Sequence, residues 1–472
     1  MTMKQMIFVM FFSFFSLNLL SPIFTLPLAP ALYVFGDSLL DNGNNNFLPT
    51  LARANFLPYG VDFPRGPTGR FSNGRTVADF LAEYLGLPYS PPYLSFGGLG
   101  SLSGVNYASG SCGILPESGH VLALHRSVIP IAVAVVFKVI CGAFLHPLCV
   151  VYVAPFHVVV MRRDYVSAPP SSAHLGHFFV RCRDFRSGGM WGGPGEEVSS
   201  YGEEVVRVSV VVGNGSGDCG ERWLLLWWVV FEESGKCITL TEQINLFGRE
   251  IKRDLTSKVK YPTELSDHLQ KSIFIISAGS NDYINNFLQP QFYDSSKFYQ
   301  PKPFAEHLIE NFSQQLKTLY ELGARKIVVF EIGPIGCIPA ISRTHEHTGE
   351  CMEEANKMAL YFNEKLSAML KNLTSSLPGS TFVLGQSYSI IIDLYKNPSI
   401  YGLIDGRNPC CTTWQHGTSA CIPFLRPCMN PSKHIFWDAF HLTEVVYSVV
   451  ASRCFRNSSS CSPVSIQELV KI

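Results

Sequence analysis

Ala31-Leu32-Tyr33-Val34-Phe35-Gly36-Asp37-Ser38-Leu39-Leu40-Asp41-Asn42-Gly43-Asn44-Asn45-Asn46 is the stretch that decides how this chain folds. The apolar run from Ala31 to Phe35 is too short for a helix and does not alternate, so it reads as a strand buried on both faces. It ends at Gly36. Ser38 follows at once, at the carboxyl end of the strand, which is where open α/β sheets place their ligands. A lone Gly-Asp-Ser more often caps a helix or a turn, so the rest of the chain has to choose between the two readings.

Working outward, Thr76 caps a helix that runs to Leu85 and is closed by Gly86 and Pro88. Beyond Cys237 the same grammar returns. Ile273 to Ala278 reads as a buried strand, Pro303 to Leu322 as an amphipathic helix stopped by Gly323, and Ile327 to Phe330 as the next strand. A helix from Met352 to Leu370, a strand from Thr381 to Leu384 and a helix from Thr443 to Arg453 complete the order. Strands alternating with helices predict a three-layer α/β fold around a parallel sheet.

The 472 residues are 47% hydrophobic and 16% charged, which excludes a disordered or fibrous chain. Lys plus Arg (37) balances Asp plus Glu (37), so no long-range field argues for a nucleic-acid partner. Residues 1–27 carry one cation, Lys4, then an uncharged run from Ile7 to Leu20 and the turn residues Ser21, Pro22 and Thr25. That is the layout of a secretory signal peptide, and the run is shorter than the roughly 20 residues of a spanning helix. Export permits disulfides and makes Asn311-Phe312-Ser313, Asn372-Leu373-Thr374 and Asn457-Ser458-Ser459 glycosylation acceptors.

Residues 121–236 differ in character. They hold no Thr and no Gln, a single Asn (Asn214) and four of the six Trp. Val128 to Met161 is nearly uncharged, but Lys138, Pro130, Pro147 and Pro155 interrupt any membrane helix there. The reading that fits best is translated non-coding sequence rather than domain sequence; an inserted module and a membrane segment are the alternatives.

A serine is a poor nucleophile until a base takes its proton, and the base needs a partner to hold its tautomer. Phe436-Trp437-Asp438-Ala439-Phe440-His441 offers both, because residues three apart on a turn can meet on one side. The oxyanion of acyl transfer needs donors already in place. Asn281, in Ser277-Ala278-Gly279-Ser280-Asn281-Asp282, reaches the same sheet edge as Ser38. Gly110, in Val105-Asn106-Tyr107-Ala108-Ser109-Gly110, brings a backbone N–H close, and the Ser38 N–H is a third donor. Taken singly, each has a plainer reading: a His satisfied by a neighbouring carboxylate, a turn Asn, a tight-turn Gly.

Together the motifs carry a resemblance. Gly36-Asp37-Ser38-Leu39, Gly69-Arg70-Phe71-Ser72-Asn73-Gly74-Arg75, Gly104-Val105-Asn106-Tyr107-Ala108-Ser109-Gly110, Gly279-Ser280-Asn281-Asp282 and Asp438-Ala439-Phe440-His441 occur in the order typical of the GDSL esterase/lipase family of SGNH hydrolases. Gly333-Pro334-Ile335-Gly336-Cys337-Ile338-Pro339 is similar to its secreted plant branch. The resemblance implies a flavodoxin-like α/β/α sandwich, a carboxylic ester or lipid substrate, and no metal or organic cofactor. It implies Ser38 as nucleophile, His441 as base, Asp438 as its orienting partner, and Ser38, Gly110 and Asn281 as oxyanion donors. Ser109-Gly110-Ser111-Cys112-Gly113 departs from the usual paired glycines, so Gly113 competes with Gly110, and Leu442 replaces a frequent Pro.

By the same resemblance, His120 should run almost directly into Cys237. Removing 121–236 and the signal leaves about 330 residues, the size of one such domain. Because the junction lies just behind Gly110, a non-catalytic extracellular protein with a blocked crevice is the alternative to a secreted esterase. Ten Cys lie outside 121–236, and in an exported chain they read as disulfides, with Cys410 to Cys428 stapling the loop before Asp438. Paired CxxC spacing is missing, which disfavours zinc.

Overall fold

The computed structural model describes residues 26–96, 101–119, 236–291, 293–414 and 417–472, together with the backbone of short strands between residues 133 and 230. The proposed signal peptide, apart from Leu26 and Pro27, lies outside the described residues. The chain divides into two compact units, one of residues 1–48, 52–119 and 237–472, the other of 49–51 and 120–236.

The first unit is built on five strands: β1 (Leu32–Gly36), β2 (Ile273–Ser277), β3 (Lys326–Phe330), β4 (Thr381–Gly385) and β5 (Cys461–Ser462), adjacent in that order. The first four are parallel, and β5 closes the edge antiparallel to β4. Every residue of β1, β2 and β3 is buried, as expected where helices cover both faces of a sheet. The helices are α1 (Val77–Leu85), α2 (Leu240–Glu250), α3 (Pro262–Lys271), α4 (Pro301–Glu321), α5 (Glu353–Ser376), α6 (Ser387–Lys396) and α7 (Glu444–Arg456). They pack as two groups, α2 with α4 and α4 with α5 in one, α1 and α6 on α7 in the other. The fold is therefore the expected α/β arrangement of helices around a mostly parallel sheet.

Local chemistry fixes the ends. Thr76 and Asp79 form a capping box before α1, and Gly86 closes that helix in the left-handed region. Thr239 and Glu242 do the same for α2. The observed α5 runs six residues past the expected end at Leu370, because no Gly or Pro intervenes before Pro378. Strand β5 was not foreseen: two residues carry no periodicity.

In the second unit the described backbone pairs antiparallel, Leu148–Val153 with His157–Arg162, Gly176–Arg181 with Val205–Val210, and Val133–Val135 with Leu224–Leu226. The described parts of Val128 to Met161 are thus strand, which goes against a membrane helix there. Among the described residues no helix is long and apolar enough to cross a membrane.

All ten cysteines of the first unit are paired: Cys112–Cys237, Cys337–Cys351, Cys410–Cys428, Cys411–Cys421 and Cys454–Cys461. The loop ahead of Asp438 is stapled twice, and Cys112–Cys237 joins the two ends that flank the second unit.

Candidate active site

Parallel pairing sets the heights. Gly36 at the end of β1 lies opposite Ser277 at the end of β2, so Ser38 and Asn281 leave the sheet at the same edge. Gly36 has φ of 133°, and a Cβ there would sit 2.0 Å from the Ser277 carbonyl oxygen, so no other residue fits. Its peptide is gripped from the side by Gln243 of α2, which accepts from Gly36 N–H (2.8 Å) and donates to Gly36 C=O (2.8 Å). Beyond Gly36 the chain turns sharply: Asp37 C=O accepts from Leu40 and Asp41 N–H, and Asp37 Oδ1 accepts from Leu39 N–H. The Ser38 side chain stands on this turn with a partly exposed surface.

Ser38 Oγ lies 2.8 Å from His441 Nε2, across 403 residues of sequence. His441 Nδ1 lies 2.8 Å from Asp438 Oδ2 and 2.9 Å from Oδ1. A carboxylate on Nδ1 assigns the ring proton there, leaving Nε2 to accept the Ser38 hydroxyl. Asp438 is fully buried and accepts three further hydrogen bonds, two from its own turn and one from far upstream. Phe440 N–H and His441 N–H donate to Oδ1 at 2.8 and 2.7 Å, and Tyr59 donates its hydroxyl to Oδ2 at 2.6 Å. Burial would push this carboxyl up, but His441, Tyr59 and the Phe440 amide outweigh it, and Asp438 lies below the usual carboxylate range. Burial and then Asp438 drive the Tyr59 hydroxyl well above its ordinary value, so it stays a donor.

The motif Gly69-Arg70-Phe71-Ser72-Asn73-Gly74 clamps the His441 loop. The Phe71 ring packs 4.9 Å from the imidazole, Ser72 Oγ donates to Leu442 C=O (3.2 Å), and Asn73 Oδ1 accepts from Glu444 N–H (2.8 Å). Leu442 itself is buried, and Trp437 N–H donates to His441 C=O (2.8 Å), closing the turn with no proline in it.

The oxyanion side is assembled differently. Asn281 donates one amide hydrogen to Cys112 C=O (2.9 Å), and its NH2 keeps a second hydrogen. Asp282 accepts from Ile114 N–H, Leu115 N–H and Ser118 Oγ, tying residues 114–118 to the end of β2. Burial pushes Asp282 up to about 6 against those three donors. At Gly113 a Cβ would meet Asp282 Oδ2 at 2.3 Å, so no other residue fits there.

Gly110 departs from the expectation that its N–H faces the crevice. That N–H donates to Asp41 Oδ2 (3.1 Å) and Asn45 Oδ1 (3.0 Å), and Gly110 C=O accepts from Asn45 Nδ2 (3.0 Å). The run Asp41-Asn42-Gly43-Asn44-Asn45 is the cradle for this loop, since Asn44 Nδ2 also donates to Asn106 C=O and Ala108 C=O. In a trans peptide the N–H points opposite to the C=O. With the Gly110 carbonyl turned onto Asn45, the Ser111 N–H points the other way, and it finds no acceptor among the described residues. Ser109 C=O accepts from Cys112 N–H (3.4 Å), which places Ser111, at φ of 71°, at the turn position that ordinarily demands glycine. The Ser38 N–H likewise has no acceptor among the described residues.

A family model described as GDSL-like lipase/acylhydrolase matches residues 32–141 and 193–454. The chain belongs to this family. It is 35% identical over 452 residues to GDSL esterase/lipase 7 of Arabidopsis thaliana, covering 94% of this chain and 93% of that one. It is 31% identical over 457 residues to GDSL esterase/lipase At5g08460 of the same plant, covering 95% and 89%. The protein is accordingly a carboxylic ester hydrolase. The stretch left unmatched, 142–192, falls inside the compositionally distinct segment 121–236.

Tyr59, Gln243, Phe71 and Asp41 were not singled out from the sequence. Each acts through a contact 69 or more residues away in the chain. Only Phe71 and Asp41 sit inside motifs that draw attention.

Proposed function

We propose that this protein is an exported serine esterase that works through an acyl-enzyme. His441 takes the Ser38 proton as Oγ attacks the ester carbonyl, and Asp438 stabilises the imidazolium. The alcohol leaves with that proton, and a water activated by the same imidazole then releases the acid. The oxyanion rests on the Ser38 N–H, the second Asn281 amide hydrogen and an amide of the Gly110 loop. Because the Gly110 N–H is held by Asp41 and Asn45, Ser111 supplies that third donor. The observation that carries the reading is the unbroken line Asp438 to His441 Nδ1 and His441 Nε2 to Ser38 Oγ. Five disulfides, together with the leader-like residues 1–27, support export.

The test is the structure of a Ser38 adduct with an alkyl phosphonate. The phosphorus should bond to Ser38 Oγ, with a phosphoryl oxygen roughly 2.7–3.1 Å from Ser38 N, Ser111 N and Asn281 Nδ2. No adduct at Ser38 refutes the nucleophile; an adduct whose oxygen meets Gly110 N instead refutes only the Ser111 assignment. The residues assigned above all lie outside segment 121–236. Esterase activity of the full chain compared with a version lacking 121–236 decides whether it obstructs: equal activity means an open crevice, activity only in the shortened form a blocked one.

A further inference from the structure

The charge balance of the whole chain hides a local asymmetry. Residues 42–61 and 406–437 contain no Asp or Glu, yet they hold Arg53, Arg407, Arg426 and Lys433, in a chain with 37 residues of each sign. These two segments lie together: Phe424 N–H donates to Leu57 C=O (2.8 Å), and Cys421 N–H to the Tyr59 hydroxyl (3.3 Å). Between them they show several large apolar side chains to solvent. Phe424 is 64% exposed, Trp414 55% and Leu57 42%, with Leu425 beside them.

Phe424 is also strained. Its φ is 62°, a left-handed conformation that bulky side chains rarely adopt. The hydrogen bond to Leu57 holds it, and Cys410–Cys428 and Cys411–Cys421 brace its loop. A folded chain gains nothing by straining its backbone to keep an aromatic ring in water, and such outliers persist where the surface has a use. Aromatic rings beside an exposed arginine, in two segments that contribute no carboxylate of their own, are the chemistry of an interface with anionic lipid, although Arg407 at one end is paired with Glu350. The same two segments also carry Tyr59, which donates to Asp438, and end at Trp437, whereas the Phe424 ring itself takes no part in those contacts.

We propose that Leu57, Trp414, Phe424, Leu425 and Arg426 form a docking surface for an anionic lipid interface, through which the enzyme meets water-insoluble esters. The test uses the full chain carrying Ser38→Ala, so that lipid is not consumed and catalysis plays no part in the readout. Co-sedimentation is measured with vesicles of phosphatidylcholine alone and with about 30% phosphatidylglycerol. Binding to the anionic vesicles should exceed binding to the neutral ones. Phe424→Gly, which suits the left-handed backbone while deleting the ring, should lower the anionic partition coefficient by about tenfold, and Arg426→Gln should weaken it further. In the otherwise unaltered enzyme, Phe424→Gly should leave turnover of a soluble short-chain p-nitrophenyl ester unchanged, which also reports that it folds. Equal binding by Phe424→Gly and its parent overturns the proposal, as does indifference to phosphatidylglycerol. Light scattering that shows Phe424→Gly converting a dimer to a monomer, without vesicle binding by the parent, assigns the patch to a second copy and overturns it as well.

Discussion

The two sides of the active site are built on opposite plans. On the base side the pair itself is local, with Asp438 and His441 on one turn beside Trp437 and two disulfides, and only its outer shell, Tyr59 and Phe71, comes from far upstream. The proposed oxyanion donors are long-range: Ser38, Ser111 and Asn281 come from three segments, and the buried acceptors Asp41, Asn45 and Asp282 tie the 110–118 stretch to the ends of β1 and β2. A pair on one turn keeps its mutual geometry when distant segments change, whereas an assembled set of donors depends on every segment that frames it. The charges follow the same division. His441 and Tyr59 hold Asp438 low, but burial pushes Asp282 and Asp41 each up to about 6.

The comparison can be broken most sharply at the shared atom. Ser38→Ala should lower kcat for a soluble p-nitrophenyl ester by about 10⁴-fold or more; parental turnover would remove both sides from the chemistry. On the base side, Asp438→Asn should cost about 10⁴-fold in kcat with little change in KM, because the wrong tautomer is held. On the oxyanion side, Asn281→Ala should cost about 10²–10³-fold, again in kcat. An Asn281→Ala loss as large as that of Asp438→Asn would erase the distinction between an essential base and additive donors.

Titration separates the sides without mutation. A carboxyl whose folded value is raised holds its proton more tightly when folded, so Asp282 and Asp41 subtract stability as pH rises from about 4 to about 6. Asp438, held low, contributes stability that is present above its unfolded value and lost as pH falls through its folded one. Carboxyl carbon NMR shifts should show Asp282 and Asp41 titrating near 6 while Asp438 is still ionised at 3.8. The smallest effect is expected at Ser111→Gly, which relieves a left-handed serine by about 1 kcal/mol, raises Tm by about one degree and keeps activity within about twofold.

This division also explains what was legible in the sequence. Ala31 to Phe35 and Ile273 to Ala278 announce buried strands because each is a short unbroken apolar run, and the capped helices announce themselves through Thr76 and Gly86. The contact of Asp438 with His441 was readable since residues three apart on one turn can meet on one side. The Gly110 amide was misplaced because its direction depends on Asp41 and Asn45, some 65 residues upstream, and no spacing rule reaches that far. Ser111 left one signal, a non-glycine in a turn where relatives pair glycines, but that marks strain and not the direction of an N–H. Tyr59 and Gln243 left none, since a hydroxyl or an amide says nothing locally about which distant group it will hold.

Cys112–Cys237 has a consequence for how this gene can change. The bond clasps the framework behind the Asn281 acceptor, so the ends of the intervening stretch stay pinned whatever separates them. Each doubling of chain between two such pinned points raises the entropic cost of closing it by only about 0.6 kcal/mol. The clasp therefore marks a permissive port in the scaffold, where sequence can lengthen by large steps while the framework behind the reacting centre keeps its shape.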